Sequence, residues 1–193
     1  MTDNLLKDSV GDNLRNHILI AMPGMNDPMF VNSITYICDH SAEGAMGLVI
    51  NRTLDIHLKD VFEQMELGYN EQTGRWPILA GGPVSKERGF VLHPTGGTWQ
   101  SSLQITPEIT LTASRDIIDA LASGGGPENA LFILGYAGWS AGQLEEEIKE
   151  NSWLTVPADW DLLFNTPAEQ RWSAAAQRLG IDMNLMPSVS GHA

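Results

Sequence analysis

Cysteine is nearly absent from the sequence, since Cys38 is the only one in 193 residues. An internal disulfide is excluded, and one thiol with scattered histidines has no zinc-ligand spacing, so we expect neither a metal nor a cofactor. Long apolar runs are absent too, because none approaches the roughly 18 residues of a membrane-spanning helix. The N-terminus lacks the basic start and apolar stretch of a secretion signal. We therefore expect a cytoplasmic protein that does not enter a membrane.

Basic side chains are also scarce, because 11 Lys and Arg stand against 24 Asp and Glu, which gives a net charge of −13. Such a chain repels the phosphate backbone that supplies most of the affinity for DNA or RNA. No segment contains the roughly four to eight clustered basic residues that attract anionic lipids. Naked nucleic acid and membrane surfaces are therefore not expected as partners.

What the chain does contain is typical of one folded domain. Hydrophobic residues make up 42% of it, charged residues only 18%, and its 19 glycines suit many tight turns. A chain of this length can bury a substantial core without disulfides. We assign residues 17–185 to a single domain, with a flexible leader over residues 1–16 and a flexible tail over residues 186–193.

Strand patterns dominate the first part of the chain. The β-like run His17–Met22 and the alternating run Ser33–Asp39 are followed by a third strand within residues 45–51. Further strand pairs are predicted around a Gly-Pro turn and around Pro107. Several of these strands lie too close together for a crossover helix, so the sheet should be mostly antiparallel. Early strands and late helices favour the α+β class.

Helical patterns are predicted at four places. An amphipathic stripe lies between Ile56 and Leu67, and Ser114 begins a helix that ends at the glycines after residue 123. Another helix follows Ser140. In the last one, Thr166 is the predicted N-cap and Gly180 the C′ residue. Its predicted buried stripe consists of Trp172, Ala175, Ala176 and Leu179.

The stretch GWSAG, residues 138–142, matches the G-x-S-x-G pattern of serine hydrolases. A nucleophile elbow needs a downstream histidine, but only His192 follows Ser140, in a polar tail. The alternative is a capping box, in which Ser140 and Gln143 begin a helix. The missing catalytic partners favour the cap.

Cys38 and His40 are the candidate catalytic residues, although none is established. Two residues apart on a strand, their side chains should share one face, and the histidine could promote formation of the thiolate. The alternative is a buried cysteine that acts as a small hydrophobic residue, which is the commoner role of a free thiol.

Four residues are candidates for binding an anionic ligand. Asn51 and Arg52 follow a predicted strand, and Arg88 lies in a turn rich in glycine, where arginines and exposed amides could receive a phosphate or carboxylate. The alternative is that each arginine pairs with an acidic residue at the surface. For His93, a structural role with satisfied hydrogen bonds is favoured over that of a base. The glycine-rich stretches lack the lysine of a P-loop and the G-x-G-x-x-G order, so no nucleotide fold is indicated.

Four segments together carry a resemblance that spans most of the chain. They are HILIAMPGMNDPMFVNSITYICDHSAEGAMGLVINR (17–52), GGPVSKERGFVLH (81–93), GYAGWSAGQLEEEIKENSWL (135–154) and RWSAAAQRLGID (171–182). In this order they resemble the bacterial YqgE/AlgH family. The resemblance implies one α+β domain with a bifurcated, partly barrel-like antiparallel sheet surrounded by helices. The family carries the label of a transcriptional regulator of alginate synthesis, without a recognised helix-turn-helix and without established catalytic residues.

Three functions follow from the sequence. The favoured one is a non-enzymatic protein that binds a small anionic ligand or a protein partner and has an indirect regulatory effect. The second is a thiol-dependent enzyme or redox sensor that uses Cys38. The third, direct regulation through DNA binding, is disfavoured by the acidity of the chain.

Overall fold

A curled antiparallel sheet is the main element of the computed structural model, which describes residues 13–182 and Leu185. Within these residues the strands are β1 (His17–Ala21), β2 (Ile34–Ser41), β3 (Gly44–Val49), β4 (Thr53–His57), β5 (Pro77–Ala80), β6 (Val84–Pro94), β7 (Ser102–Gln104), β8 (Ile109–Thr112), β9 (Leu131–Ser140) and β10 (Trp153–Pro157). Their order is β10-β1-β2-β3-β9-β6-β8-β7, with β5 beside β9 and β4 beside β5. Only the β5–β9 pairing among them is parallel. The predicted α+β class with a mostly antiparallel sheet is confirmed.

Strand β9 belongs to two branches of the sheet. Its residues 137–140 pair with β3, while its earlier residues pair with β6 on one side and with β5 on the other. Gly135 lies at the change of partner, with a positive φ of 77°, and an added Cβ there would lie 2.7 Å from the carbonyl oxygen of Gly82. A side chain would therefore be strained in conformation and in space. This glycine lets one strand bend between the two branches.

The helices are short and pack on both faces of the sheet. They are α1 (Leu58–Gln64), α2 (Glu71–Gly74), α3 (Arg115–Ser123), α4 (Gln143–Lys149) and α5 (Arg171–Gln177), with a π-helix at Asp161–Asn165 and a 3-10 turn at Ala168–Gln170. The prediction for α3 is confirmed, because the helix follows Ser114 and ends at Gly124 with a left-handed φ of 80°. Helix α1 is shorter than predicted because residues 53–57 form the exposed strand β4.

The last helix differs from its prediction in three respects. Thr166 is not its N-cap, because the Thr166 hydroxyl donates backward to the Asp161 carbonyl of the π-helix at 2.8 Å. The helical segment is interrupted by the change from a 3-10 turn to α5. Its buried side includes Arg171, whereas Leu179 is exposed. Gly180 does adopt the left-handed conformation expected after the helix, with φ of 71°.

Apolar side chains form one cluster on one face of the sheet and two on the other. Ile18 and Ile20 of β1 belong to the largest cluster, which also contains Leu162 and Leu163 of the π-helix. The intervening Leu19 packs on the opposite face, near α4. A third cluster lies under α1 and α3. The alternation along β1 therefore places the C-terminal helical segment on one face and α4 on the other.

The predicted leader and tail are only partly within the described residues. The leader's residues 1–12 and the tail's residues 186–193 lie outside them. Leu14 donates its amide to His40 Nδ1 at 2.9 Å, and Asn16 donates its amide to the Ile37 carbonyl at 2.9 Å. Arg15 donates to the carbonyls of Gln104 and Ile105. Residues 14–16 are thus hydrogen-bonded to the domain.

Candidate functional site

Ser140 is the last residue of β9 rather than the first residue of a helix. Its amide and its hydroxyl both donate to Gln143 Oε1, at 3.0 and 3.2 Å. The N-cap of α4 is Gly142, with a φ of 77°, so the prediction that Ser140 caps this helix is wrong. The reason is that β9 continues through GYAGWS, and the glutamine side chain supplies the turn contact instead.

A nucleophile elbow has no support at Ser140. In such an elbow the serine lies on a strained turn, but Ser140 is in extended backbone paired with Gly44 and is absent from the positive-φ residues of the described chain. Its hydroxyl donates to an amide oxygen, which cannot act as a general base. The chemistry expected at this serine is therefore a structural hydrogen bond.

Cys38 is fully buried within the largest apolar cluster. Burial in this apolar surrounding, with a further contribution from the nearby Asp39 carboxylate, raises the pKa of the thiol. Within the described residues, the only hydrogen bond of this thiol is a weak one that Sγ donates to the Tyr36 carbonyl at 3.8 Å. Reactivity of Cys38 stays a prediction, but thiolate formation at this position is unfavourable.

His40 lies on the opposite side of β2 from Cys38, so the prediction that the two share a face is wrong. A β-bulge between Ile37 and Asp39 adds one residue and reverses the alternation beyond it. His40 Nε2 is 2.7 Å from Glu145 Oε1 of α4, and its Nδ1 accepts the Leu14 amide. Because Nδ1 is an acceptor, Nε2 carries the proton and donates it to the carboxylate. Both ring nitrogens are therefore used to hold the fold together.

Asn51 and Arg52 hold the loop before β2. Asn51 accepts the Ile34 amide and donates to the Asn32 carbonyl, at 3.0 and 2.8 Å. The Arg52 guanidinium donates to the carbonyl of Pro28 at 3.0 Å and to that of Val31 at 2.7 Å. Ligand binding by these two residues stays a prediction, although their polar groups are already engaged with the protein's own backbone.

Arg88 and His93 lie apart from that loop. Arg88 lies within strand β6, so the prediction that it lies in a turn is wrong. Its side chain is exposed, with the guanidinium carbon 5.2 Å from the centre of the Phe90 ring, so the two form a cation–π contact. His93 is fully buried, donates from Nδ1 to the Pro94 carbonyl at 2.7 Å, and accepts the Thr112 hydroxyl at Nε2 at 2.8 Å. Burial lowers the pKa of His93, which favours its neutral form. Anion binding at either residue also stays a prediction.

Arg171 is a further functional candidate, which the sequence analysis missed. The residue is only 5% exposed. Among the Asp, Glu, Lys and Arg residues of the range 13–182, it is the one that is buried. Its guanidinium donates to three backbone carbonyls, those of Ile50, Leu162 and Leu163. No described acidic side chain forms an ion pair with it. Desolvation by burial lowers its pKa to about 10, so it stays protonated at neutral pH.

This arginine lies in the wall of an open cavity of about 400 Å³. The cavity, named here the Arg171 cavity, lies between the β5–β9 pair and the C-terminal helical segment. Its other walls include Trp76, Leu79, Phe132, Phe164, Asn165 and Thr166. Volumes from about 300 to 1,000 Å³, mostly apolar walls and few polar groups are typical of small-molecule sites. A buried positive charge here is suited to bind an anion.

The sequence pattern pointed away from Arg171, because an arginine within an amphipathic helix, such as the one predicted after Thr166, is usually solvated. The observation that could have indicated it is the predicted apolar stripe, because Ala175 lies one turn beyond Arg171 on the same side of the helix.

Two features that the described residues lack bear on function. No group of three or more His, Cys, Asp or Glu side chains there is arranged to hold a metal ion. Within the same residues, no helix has both the length and the apolar character needed to cross a membrane.

Comparison with known proteins identifies close relatives over almost the whole chain. The model of the AlgH-like family (DUF179) matches residues 18–184. A UPF0301 protein from Saccharophagus degradans is 56% identical over 193 residues, covering 99% of this chain and 95% of the relative. Another from Hahella chejuensis is 54% identical over 180 residues, covering 93% and 96% of the two chains. These names state no ligand and no reaction.

Two solved structures share the fold. The solution structure of the AlgH protein from Pseudomonas aeruginosa is 48% identical and covers 97% of this chain and 100% of its own, with a TM-score of 0.78. The crystal structure of a protein from Corynebacterium diphtheriae is 18% identical and covers 88% and 89% of the two chains, with a TM-score of 0.65. The second likeness concerns the fold alone.

Proposed function

The chain belongs to the AlgH-like family, and we propose that this member is a non-enzymatic cytoplasmic protein that binds a small anionic ligand in the Arg171 cavity. Binding would give it an indirect regulatory role, through the ligand rather than through DNA. Neither the family description nor the names of the relatives states a ligand, so the proposal rests on the chemistry of the cavity.

The supporting observation is the buried guanidinium, which forms no ion pair with a described acidic side chain, although the nearby Glu169 carboxylate acts to raise its pKa and Glu128 lines the same cavity. Removing a charge from water is costly unless it is paired, and the three carbonyls offer Arg171 partial charges only. A guanidinium has five N–H donors, and these three hydrogen bonds engage three of them. An anion in the cavity would neutralise the positive charge and could accept from donors that remain. A carboxylate or a phosphate has the geometry for this.

The charge of the whole chain limits the class of ligand. A net charge of −13 repels anions at long range, most strongly those with several charges. A ligand with one or two negative charges is therefore favoured over a polyanion.

A structural role for Arg171 is the competing explanation, because its carbonyl partners join the end of β3 to the π-helix. The two explanations differ in what happens when an anion is added. We would titrate ¹⁵N-labelled protein with orthophosphate and with ribose 5-phosphate at constant ionic strength, with ribose as the uncharged control. The anions are expected to shift the signals of Arg171 Nε, Asn165 and Thr166, and ribose to leave them unchanged.

Variants on the same helical segment complete the test. Arg171→Met should abolish the shifts, and Arg171→Lys, which keeps the charge with fewer donors, should weaken them. Arg178→Met is the matched control, because Arg178 pairs with Asp159 and does not line the cavity. The proposal would be refuted if the anions shifted no signals in the wild type. It would also be refuted if the same shifts persisted in a folded Arg171→Met variant.

A further inference from the structure

A second open cavity lies next to the Arg171 cavity. It has a volume of about 480 Å³, and its walls include the glycine-rich turns at residues 94–97 and 125–127 together with Trp99 and Trp160. We name it the tryptophan cavity. Its glycines offer backbone without side chains, and at Gly96 the space around a Cβ position is open to 4 Å. A flat molecule can therefore approach the backbone closely.

The two cavities are neighbours with common walls. Glu128 and Asn129 line both. Trp160 of the tryptophan cavity also packs on Phe164 of the Arg171 cavity, with ring centres 4.8 Å apart. A molecule that extends past Glu128 and Asn129 would therefore contact both the buried guanidinium and the indole rings.

The aromatic walls are suited to a planar ring. The Trp99 indole N–H donates to the Gly96 carbonyl at 3.1 Å, and the ring packs edge-to-face with His93, so its orientation is fixed. Trp160 is 37% exposed, which leaves much of its ring available. Nucleic-acid bases stack on such rings largely independently of their identity, because every base has a π-face.

The common wall is suited to hydroxyl groups. The Glu128 carboxylate accepts hydrogen bonds, and the Asn129 amide both donates and accepts, as the vicinal hydroxyls of a ribose require. The same carboxylate repels additional phosphates, which agrees with the preference for a ligand of one or two negative charges inferred from the net charge.

We propose that the two cavities form one site for a nucleoside monophosphate, with the phosphate at Arg171, the ribose at Glu128 and Asn129, and the base against Trp99 and Trp160. This inference rests on the proposed anion binding and adds the ligand class. It needs no phosphate-binding loop, since a buried arginine takes the place of backbone amides.

Three related probes separate the parts of this site: AMP, adenosine and ribose 5-phosphate, each titrated by calorimetry at constant ionic strength. AMP is expected to bind most tightly. Trp160→Ala should weaken the binding of AMP and adenosine by about 5- to 150-fold, the usual range for loss of a stacked ring. It should weaken ribose 5-phosphate much less than AMP, because Trp160 reaches the phosphate end of the site only through its contact with Phe164. Arg171→Met should weaken AMP and ribose 5-phosphate but not adenosine.

Leu179→Ala is the control for Trp160→Ala, because Leu179 is an exposed apolar residue outside both cavities. Far-UV circular dichroism of each variant confirms that it is folded. If AMP binds no more tightly than ribose 5-phosphate, or if Trp160→Ala leaves AMP affinity unchanged, the nucleoside inference is wrong while anion binding stands. If ribose 5-phosphate and orthophosphate also fail to bind, the proposed function is wrong as well.

Discussion

Glu147 of α4 holds two buried tryptophans through one carboxylate oxygen. Its Oε2 accepts the indole N–H of Trp139 at 2.9 Å and that of Trp153 at 2.8 Å. Its Oε1 accepts from Gln143 Nε2 at 3.0 Å, which in turn contacts Ser140. One hydrogen-bond network therefore joins α4 to the end of β9 and to β10, and we predict that Glu147→Ala destabilises the protein severely.

The size of the loss follows from the two indole donors. Trp139 is 6% exposed and Trp153 2% exposed, so water cannot easily replace the carboxylate. A buried donor left without a partner costs about 1–3 kcal/mol, so two of them cost about 2–6 kcal/mol. This is a large part of the about 5–15 kcal/mol by which a domain of this kind is stable.

Urea denaturation followed by far-UV circular dichroism measures this free energy of unfolding directly. Glu146→Ala is the matched control, because Glu146 is the exposed neighbour whose ion pair with Lys149, at 3.7 Å, is worth about 0–1 kcal/mol. The stability of Glu147→Gln should lie between those of Glu147→Ala and Glu146→Ala. The amide oxygen of the new glutamine can accept from the indoles, but its NH₂ group then faces the NH₂ group of Gln143, and two donors cannot bond each other. Equal midpoints for Glu147→Ala and Glu146→Ala would show that the indole hydrogen bonds do not stabilise the fold.

Four other outcomes are expected. Thr35→Val should stabilise the protein by about 1 kcal/mol in urea denaturation, because the buried Thr35 hydroxyl has no hydrogen-bond partner in the described part of the chain. Its control, Thr112→Val, should destabilise the protein, since Thr112 bonds His93, and the opposite signs would disprove the reasoning. Cys38 should be alkylated by iodoacetamide only as fast as the protein unfolds, and rapid labelling in buffer would contradict its burial. The pKa of His93 is lower in the folded protein than its value of 6.5 in the unfolded chain, so the unfolded state binds the proton first as the pH falls. The free energy of unfolding should therefore decrease as the pH drops below about 6.5, and it should decrease less in His93→Gln. An equal pH dependence in the wild type and in His93→Gln would exclude this cause. Ser140→Ala should cost at most about 1 kcal/mol, and labelling of wild-type Ser140 by a fluorophosphonate would restore the elbow hypothesis.

The sequence predicted the fold class because most strands have a clear period. The runs at β1 and β2, the pair β7 and β8, and the helix after Ser114 lie where alternation, turn residues and caps place them. Strand β10 was missed, because its residues Trp153–Pro157 lie between helical patterns and their partner, β1, is more than a hundred residues earlier. Pairing over such a distance leaves no local pattern.

The candidate site was harder to predict, because it depends on burial and on tertiary contacts. Alternation along β2 placed Cys38 and His40 on one face, and a single bulge separated them. Arg52 is a residue type that often binds anions, but its guanidinium donates to the carbonyls of Pro28 and Val31 in the loop before β2. Arg171 acquires its importance only in the folded chain, where the π-helix carbonyls bind its guanidinium and no acidic side chain of the described residues forms an ion pair with it. Residue types gave the candidates, and the packing decides among them.

Strand β9 belongs to both branches of the sheet, and this has a consequence for how the protein unfolds. Since one continuous strand completes both branches, with residues 137–140 in one and its earlier residues in the other, neither branch can lose this strand without disturbing the other. Amide hydrogen exchange in β9 should therefore be governed by global unfolding rather than by local fluctuation, and the two branches should melt as one cooperative unit.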